Sequence, residues 1–246
     1  MSRFFVDASQ IAGNEIRIVS SRDVKHLTRV LRAVRGTRVE VSDSAEWEYE
    51  AEFLHARDGT AVLRILDRQR FAREPGVRLA LFQGLPKGAK METIIQKSVE
   101  LGVADVFPVA CVRSVAAGEA VSDHKLARWR RIAAEAAKQC RRGLTPGVHP
   151  VLAFDAALSA MRAFDLMLFP YECERERSLK SCLRGLPAKP EGLALIVGPE
   201  GGFSTEEAEA LVAAGAVSVS LGAAILRTET AGPAAVAMIL YELEQE

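Results

Sequence analysis

The sequence predicts an α/β protein in which a mostly parallel sheet is covered by helices and preceded by a small all-strand unit. Two observations carry this. Beyond residue 76, short and nearly all-apolar segments such as LALIVG (193–198) alternate with helical stretches. Strands that are apolar on both sides, with helices between them, belong in a parallel sheet buried on both faces. Before residue 71 the period is two instead. In EWEYEAEF (46–53), Trp47, Tyr49, Ala51 and Phe53 alternate with Glu46, Glu48, Glu50 and Glu52, which is the pattern of a half-buried strand.

The elements follow in order. RFFV (3–6), EIRIV (15–19), RVEV (38–41) and AVLRIL (61–66) are further short strands, and so few residues bury a core only by closing into a small barrel. One helix interrupts them, capped by Ser20 or Ser21. Val24, Leu27, Val30, Leu31 and Val34 fall on one side of it at about 100° per residue. Arg22, Lys25, His26, Arg29 and Arg32 occupy an opposite arc of roughly 120°. RFAREPG (70–76) reads as a linker, because Pro75 and Gly76 break both strand and helix. The expected domains are therefore 1–71 and 72–246. In the second, strands are expected at 77–84, 103–109, 165–170, 193–198 and 217–222. Helices are expected at 89–101, 124–140, 154–164, 204–215 and 233–245.

Composition narrows the function. The net charge of the 246 residues is +0, so no global basic excess argues for nucleic acid, but the charge is segregated. Seven basic residues between Arg17 and Arg38 face one acid, Asp23; from Glu40 to Asp58 seven acids face Arg57. A second basic block, Lys125 to Arg142, sets seven basic residues against Glu135. Segregation of this kind lets one face bind a polyanion while the molecule stays neutral. A basic helix arc suits solvent or phosphate; five residues of one sign favour phosphate. The cysteines (Cys111, Cys140, Cys173, Cys182) form no CxxC pair and have no histidine at metal spacing, so reduced thiols and no metal are expected. No apolar run reaches the roughly 18 residues of a membrane span. The start, MSRFFVDASQ, lacks the features of a signal peptide. A soluble, cytoplasmic protein is the expectation.

Ligands of parallel sheets bind at the carboxyl ends of strands, and two loops there stand out. Gly198-Pro199-Glu200-Gly201-Gly202-Phe203 follows one strand; Leu221-Gly222-Ala223-Ala224-Ile225-Leu226-Arg227-Thr228-Glu229-Thr230-Ala231 follows another. Glycines at 198, 201 and 202 would allow positive φ and close approach to a ligand. The first loop is neither GxGxxG nor GxxxxGK[ST], which disfavours dinucleotide and P-loop chemistry. Ser204 and Glu207 have the spacing of a capping box, with Glu206 in the same turn. Those carboxylates already complement the positive helix end, so a phosphate there would be repelled. A neutral or cationic ligand fits better, and S-adenosylmethionine has that profile.

GPEGGFS (198–204) with LGAAILRTETA (221–231) resembles the C-terminal signature of the ribosomal small-subunit methyltransferase E family, in the SPOUT superfamily. KMETIIQKSVELGV (90–103), Cys111-Val112-Arg113-Ser114 and EAAKQCRRGLTP (135–146) resemble further family segments. RFF (3–5) and HLTRVLRAVRG (26–36) resemble its RNA-binding PUA-like domain. The likeness runs along most of the chain, in order. Departures are Arg141, where the family commonly has a small residue, Thr145, and Ala223-Ala224.

The resemblance implies a PUA-like β-barrel at 1–71 and a SPOUT domain with a C-terminal trefoil knot at 72–246. It implies methylation of N3 of a uridine in 16S ribosomal RNA, free or in the small subunit, by a homodimer using S-adenosylmethionine. The cofactor residues it implies are Gly198, Pro199, Glu200, Gly201, Gly202, Leu221, Gly222, Ile225, Leu226, Arg227 and Thr228. Arg227 would stabilise charge on a uracil oxygen, and Glu229 or Glu200 would take the proton; Glu229 is equally placed as a helix-start carboxylate. Arg3, His26, Arg29, Arg32 and Arg142 would grip RNA, with His26 also suited to packing. The closing helix, apolar all round from Ala234 to Leu240, suits a subunit interface or burial within its own domain. Two other functions remain open at this level: a knotted methyltransferase of another RNA, and a non-catalytic RNA-binding module.

Overall fold

The chain forms two compact units, and they are not separated by a single cut near residue 71. In the computed structural model, which describes residues 1–71, 74–114 and 121–244, the first unit comprises Met1–Glu74 together with Ala137–Thr145. The second comprises Pro75–Ala136 and Pro146–Glu246. Within the expected linker, Ala72 and Arg73 lie outside the described residues.

Among the described residues the first unit is built on a six-stranded mixed sheet. Its strands are β1 (Arg3–Phe5), β2 (Ile11–Ala12), β3 (Glu15–Ile18), β4 (Arg38–Ser42), β5 (Trp47–Arg57) and β6 (Thr60–Arg70). Their order is β1-β4-β5-β6-β3-β2, with β1–β4 parallel and the other pairings antiparallel. The expected closed barrel is thus a curled half-barrel, with β1 and β2 at the two ends of the order among the described residues. The alternation in β5 holds: Tyr49, Ala51 and Phe53 join Phe4, Ile16, Val41 and Leu63 in one core. Its glutamates pair outward, Glu46 with Arg70, Glu50 with Arg38 and Glu52 with Arg64. The acidic run is therefore neutralised by arginines of neighbouring strands.

The expected helix of this unit is shorter than its pattern. Ser20 caps α1 (Ser21–Lys25) by accepting from Asp23 N, but His26–Val30 is a π-turn, with Leu31 N donating to His26 O at 2.9 Å. The wider turn breaks the 100° phase. Leu27 is consequently buried, while Val30 and Val34 are 68% and 70% exposed. Arg32, at φ 49, ends the turn.

Among the described residues the second unit has seven strands: β7 (Arg78–Gly84), β8 (Asp105–Ala110), β9 (Gly147–Val148), β10 (Leu152–Ala153), β11 (Leu166–Pro170), β12 (Gly192–Val197) and β13 (Val217–Val219). The order is β10-β8-β7-β12-β11-β13, with β9 also on β8, and every pairing is parallel. The helices are α2 (Lys90–Leu101), α3 (Asp123–Gln139), α4 (Phe154–Met161), α5 (Leu179–Arg184), α6 (Thr205–Ala213) and α7 (Thr228–Leu243). The last residues of α3, from Ala137, count with the first unit. Ala80 and Phe82 of β7 join a core with Ala157 and Met161 of α4 and Ala208 and Leu211 of α6. Leu81, pointing the other way as strand pleating requires, meets the α7 backbone at Gly232, which Ile94 of α2 also approaches. Such double-sided burial explains why β7 and β12 are nearly all apolar.

α5 and the two-residue strands β9 and β10 were not expected, and α7 begins five residues before the expected helix, at Thr228. Pro233 sits inside α7. It lies past the first turn, so the Glu229 carbonyl loses its usual i+4 donor there.

Candidate active site

The site is assembled where β12 and β13 end. Val197 leaves the sheet into Gly198–Phe203, and α6 begins at once with the expected capping box: Ser204 Oγ accepts from Glu207 N, and the Glu207 carboxylate from Ser204 N. Glu207 also accepts from Val112 N at 2.8 Å, and Arg113 donates to Gly201 O at 3.0 Å. The Cys111–Ser114 loop is thereby fastened to the glycine loop. Beside it the Cys111 thiol, pushed up to about 12 by burial and the neighbouring Glu207 charge, stays protonated and inert.

The glycines serve different needs. Only Gly202 of the three takes positive φ, at 67°, and a Cβ there would stand 2.9 Å from Glu172 Oε1. The expectation of positive φ at Gly198 and Gly201 does not hold. They are glycines for room: a Cβ on Gly198 would lie 3.2 Å from Gly202, and one on Gly201 3.1 Å from Arg113 Cβ. Gly222 also has positive φ, 136°.

The second loop returns from β13 to α7 and is tied to the first. Thr228, buried at the start of α7, donates from Oγ1 to Gly198 O at 2.6 Å and accepts from Gln83 Nε2 at 2.9 Å. Gln83 is fully buried in β7 and also donates to Gly84 O at 3.1 Å. One amide and one hydroxyl thus join the ends of three segments distant in sequence. Gly84 adds a close approach, since a Cβ there would meet Pro199 at 2.6 Å.

Between the loops lies a cavity of about 540 Å³. Gly198, Pro199, Glu200, Gly201, Gly202, Leu221, Gly222, Ile225, Leu226, Arg227 and Thr228 all line it, as does Glu229. At its edge Lys90 Nζ stands 2.9 Å from Glu200 Oε1 and 3.4 Å from Glu229 Oε2. Glu200 further accepts from Lys87 N at 3.0 Å. Burial pushes the Glu200 carboxyl up, but the hydrogen bonds from Lys90 and from backbone N–H groups outweigh it and hold the group below the ordinary carboxylate range. The same hydrogen bond raises the Lys90 ammonium. Glu229 Oε2 is buried and makes no well-aligned hydrogen bond, only the longer ion pair. Arg227, in extended conformation just before α7, is exposed; its carbonyl accepts from Thr230 N and Ala231 N, but among the described residues no hydrogen bond or ion pair engages its side chain.

Sequence reasoning missed Lys90, Gln83 and a third lining segment, Pro170–Glu172 with Glu174 and Arg175. Gln83 had a signal: a polar residue in an apolar buried strand must find partners. Lys90 and the third segment had none, because nothing local distinguishes them from a helix start and a loop.

The expected RNA-binding residues separate. His26, Arg29 and Arg32 are exposed on the first unit, His26 with its ring edge-on to Phe4 at 5.8 Å. No ion pair engages Lys25, Arg29, Arg32 or Arg35 among the described residues. Arg3 and Arg142 do not belong to that face. Arg3, its side chain 2% exposed, pairs with Glu48 and Glu40 and donates to Arg142 O at 2.7 Å. Arg142 is buried against Glu74 at 2.6 Å. Both hold the Ala137–Thr145 segment in the first unit, helped by Ser42 Oγ donating to Gly143 O at 2.5 Å and Lys138 pairing with Asp23 at 2.7 Å. A buried guanidinium already committed to carboxylates is not available to phosphate. Of the second basic block, Arg128 pairs with Glu92 and Arg130 donates to Val148 O, while Lys125, Arg131 and Arg141 are exposed.

Among the described residues no helix is long and apolar enough to cross a membrane, and no cluster of three or more His, Cys, Asp or Glu side chains could hold a metal. Against known proteins, the chain matches the model of the RNA methyltransferase domain family over residues 73–240. It is 31% identical to the ribosomal RNA small subunit methyltransferase E of Bacillus subtilis, covering 99% of this chain and 98% of that one. The Synechocystis protein of the same name is 29% identical, over 98% of this chain and 78% of its own. Among solved structures, the Neisseria gonorrhoeae ribosomal RNA small subunit methyltransferase E bound to S-adenosyl methionine superposes with a TM-score of 0.83 at 28% identity, covering 98% of this chain and 97% of that one. A putative methyltransferase from Legionella pneumophila in complex with the same cofactor also gives 0.83, at 28% identity, with 97% and 96% covered. The likeness spans both units and both loops of the cavity, and the chain belongs to the ribosomal RNA small subunit methyltransferase E family.

Proposed function

We propose that this protein is an S-adenosylmethionine-dependent methyltransferase of 16S ribosomal RNA that modifies N3 of a uridine, in the free RNA or the small subunit. The carrying observation is the cavity itself: the two loops after β12 and β13, joined through Thr228 and Gly198, line one space of about 540 Å³. That volume suits a small-molecule ligand. Glu172, Glu174, Glu200 and Glu229 line it beside Lys90, Arg175 and Arg227, and the start of α6 is taken up by Ser204 and Glu207, a mixed lining that suits a ligand carrying both charges better than a phosphate at the helix start. Gly202 and Gly222, both at positive φ, present backbone to the ligand. Gly198–Gly202 and Leu221–Thr228 would hold the cofactor, which supplies a methyl group already activated on a sulfonium.

Uridine N3 is a poor nucleophile until its proton leaves. Arg227, whose guanidinium makes no hydrogen bond or ion pair among the described residues and lines the cavity, stabilises the negative charge that develops on a uracil oxygen. Glu229 takes the proton: its buried Oε2 is held only by the 3.4 Å ion pair, whereas Glu200 is kept ionised and engaged by Lys90 and Lys87 N. A stacked or paired uridine must first be turned out into the pocket. His26, Arg29 and Arg32 grip the RNA backbone.

The return of the chain from edge strand β13 to α7, which packs on β7 and β12, supports a trefoil knot at this site. Met238 and Tyr241, exposed on α7, support a homodimer through that helix. The proposed RNA substrate supports a cytoplasmic location.

Calorimetry with S-adenosylmethionine, followed by mass mapping of 16S RNA from small subunits incubated with the protein and cofactor, tests the reading. One methylated uridine is expected, and none in transfer RNA. Binding without methylation of either RNA would reduce the protein to a binding module, and methyl transfer to transfer RNA alone would reassign the substrate.

A further inference from the structure

The third wall of the cavity, Pro170–Arg175, carries three charged side chains, Glu172, Glu174 and Arg175, that the reaction above does not use. The segment is fixed in place. Tyr171 N donates to Val219 O at 3.1 Å, and Ser220 N to Arg177 O at 2.8 Å. Between these points the Glu174 carboxylate accepts from Ser218 Oγ at 2.5 Å and from the N–H groups of Glu176 and Arg177 at 2.9 and 3.0 Å. Led by the Ser218 hydroxyl, these donors hold Glu174 at about 2, so it stays ionised and serves as an anchor rather than a ligand.

Glu172 and Arg175 stand on either side of that anchor in sequence, and both line the cavity. The Glu172 carboxylate lies over the glycine loop, 2.9 Å from where a Cβ on Gly202 would be. Among the described residues neither Glu172 nor Arg175 makes a side-chain hydrogen bond or ion pair, with each other or with any other group. Two opposite charges held on one wall and not paired to one another are complementary to a zwitterion. We infer that Glu172 and Arg175 recognise the α-amino-acid end of the cofactor, the carboxylate taking its ammonium and the guanidinium its carboxylate. This rests on the assignment of the cavity to S-adenosylmethionine and deepens it, because the two backbone-rich loops contribute no comparable pair of free charges of opposite sign. Charge-assisted bonds of this kind are stronger than neutral ones.

The test compares three ligands by calorimetry on the full chain: S-adenosylmethionine, S-adenosylhomocysteine, which keeps the amino-acid end, and 5′-methylthioadenosine, which lacks it. Glu172→Gln and Arg175→Gln should each weaken the first two about tenfold or more and leave the third unchanged. In turnover, KM for the cofactor should rise with kcat at saturation preserved. Unchanged affinity for the first two ligands would overturn the inference, as would an equal loss for 5′-methylthioadenosine, which would place the pair on the nucleoside or mark general damage to the loop. Failure of the unaltered protein to bind any of the three would instead overturn the cavity assignment.

Discussion

Replacing Thr228 with valine tests whether the two loops are held together by the hydroxyl at the start of α7. Valine keeps the shape and removes only the hydrogen-bonding group, so the change is not a conservative one. Gly198 O loses its 2.6 Å donor, and the buried Gln83 Nε2 loses its 2.9 Å acceptor while keeping Gly84 O at 3.1 Å. Gly198 O is left with only the long 3.4 Å contact from Gln83 Nε2, and the amide is half-satisfied. A lost hydrogen bond costs about 1 kcal/mol, and a buried group left without a partner roughly 1–3 kcal/mol more, for a total of about 2–4 kcal/mol. For a chain of this size each kcal/mol moves the melting temperature by roughly 2–4 °C, so a fall of about 5–15 °C is expected. Because the weakly satisfied carbonyl belongs to Gly198, on the cavity wall, affinity for S-adenosylmethionine should fall by about tenfold or more, equivalent to about 1.4 kcal/mol. Thr228→Ser retains the hydroxyl and should lose little of either. Differential scanning calorimetry and titration calorimetry read both quantities. A valine variant that melts within a degree or two of the original and binds the cofactor normally would refute the argument. So would a serine variant as damaged as the valine one.

Three further outcomes follow from the same structure. Arg3→Met should destabilise the first unit by about 3–5 kcal/mol, because Glu40 and Glu48 lose a guanidinium that is itself almost wholly buried; denaturant unfolding measures this, and a variant of full stability that has merely lost RNA affinity would return Arg3 to the RNA-binding face. Lys90→Gln should alter the pH dependence of thermal stability at both ends. The Glu200 carboxyl is lowered in the folded state, so its contribution is present above the ordinary carboxylate pKa and is lost as pH falls through the lowered value; without Lys90 the loss should begin at higher pH. The Lys90 ammonium is raised, so its contribution holds below the ordinary lysine pKa and fades as pH rises through the raised value; that alkaline decline should vanish in the variant, and melting curves superimposable at every pH would contradict the coupling. Arg29→Glu combined with Arg32→Glu should lower RNA affinity and reduce the salt dependence of binding by about two counterions, with cofactor affinity untouched. An unchanged salt slope in filter binding would remove these residues from the interface.

The patterns that could be read along the chain were those set by neighbours in sequence. Alternation in Trp47–Phe53 fixes which face of β5 is buried whatever the strand pairs with, and a run such as LALIVG has no polar face to offer solvent. The capping box at Ser204 and Glu207 needs only four consecutive residues. The helix near Ser20 was read correctly at its start and wrongly beyond His26, because one widened turn shifts every later side chain and leaves Val30 and Val34 in solvent. No local rule marks that turn. The glycine loop was legible as a loop, but which glycine needs positive φ and which needs room depends on Arg113 and Glu172, residues far along the chain.

The sequence alone determined the α/β class, the strands that are buried on both faces, and the two loops that line the cavity, because side-chain period and turn chemistry are short-range properties. Tertiary structure decided the electrostatics. Arginines with the same local appearance were sorted into Arg3 and Arg142, locked against Glu40, Glu48 and Glu74, and Arg29 and Arg32, left exposed. It likewise brought Lys90, Gln83, Glu172 and Arg175 to a site whose signature lies elsewhere in the chain. Charge acts through space, and a partner's distance along the chain says nothing of its distance in the fold.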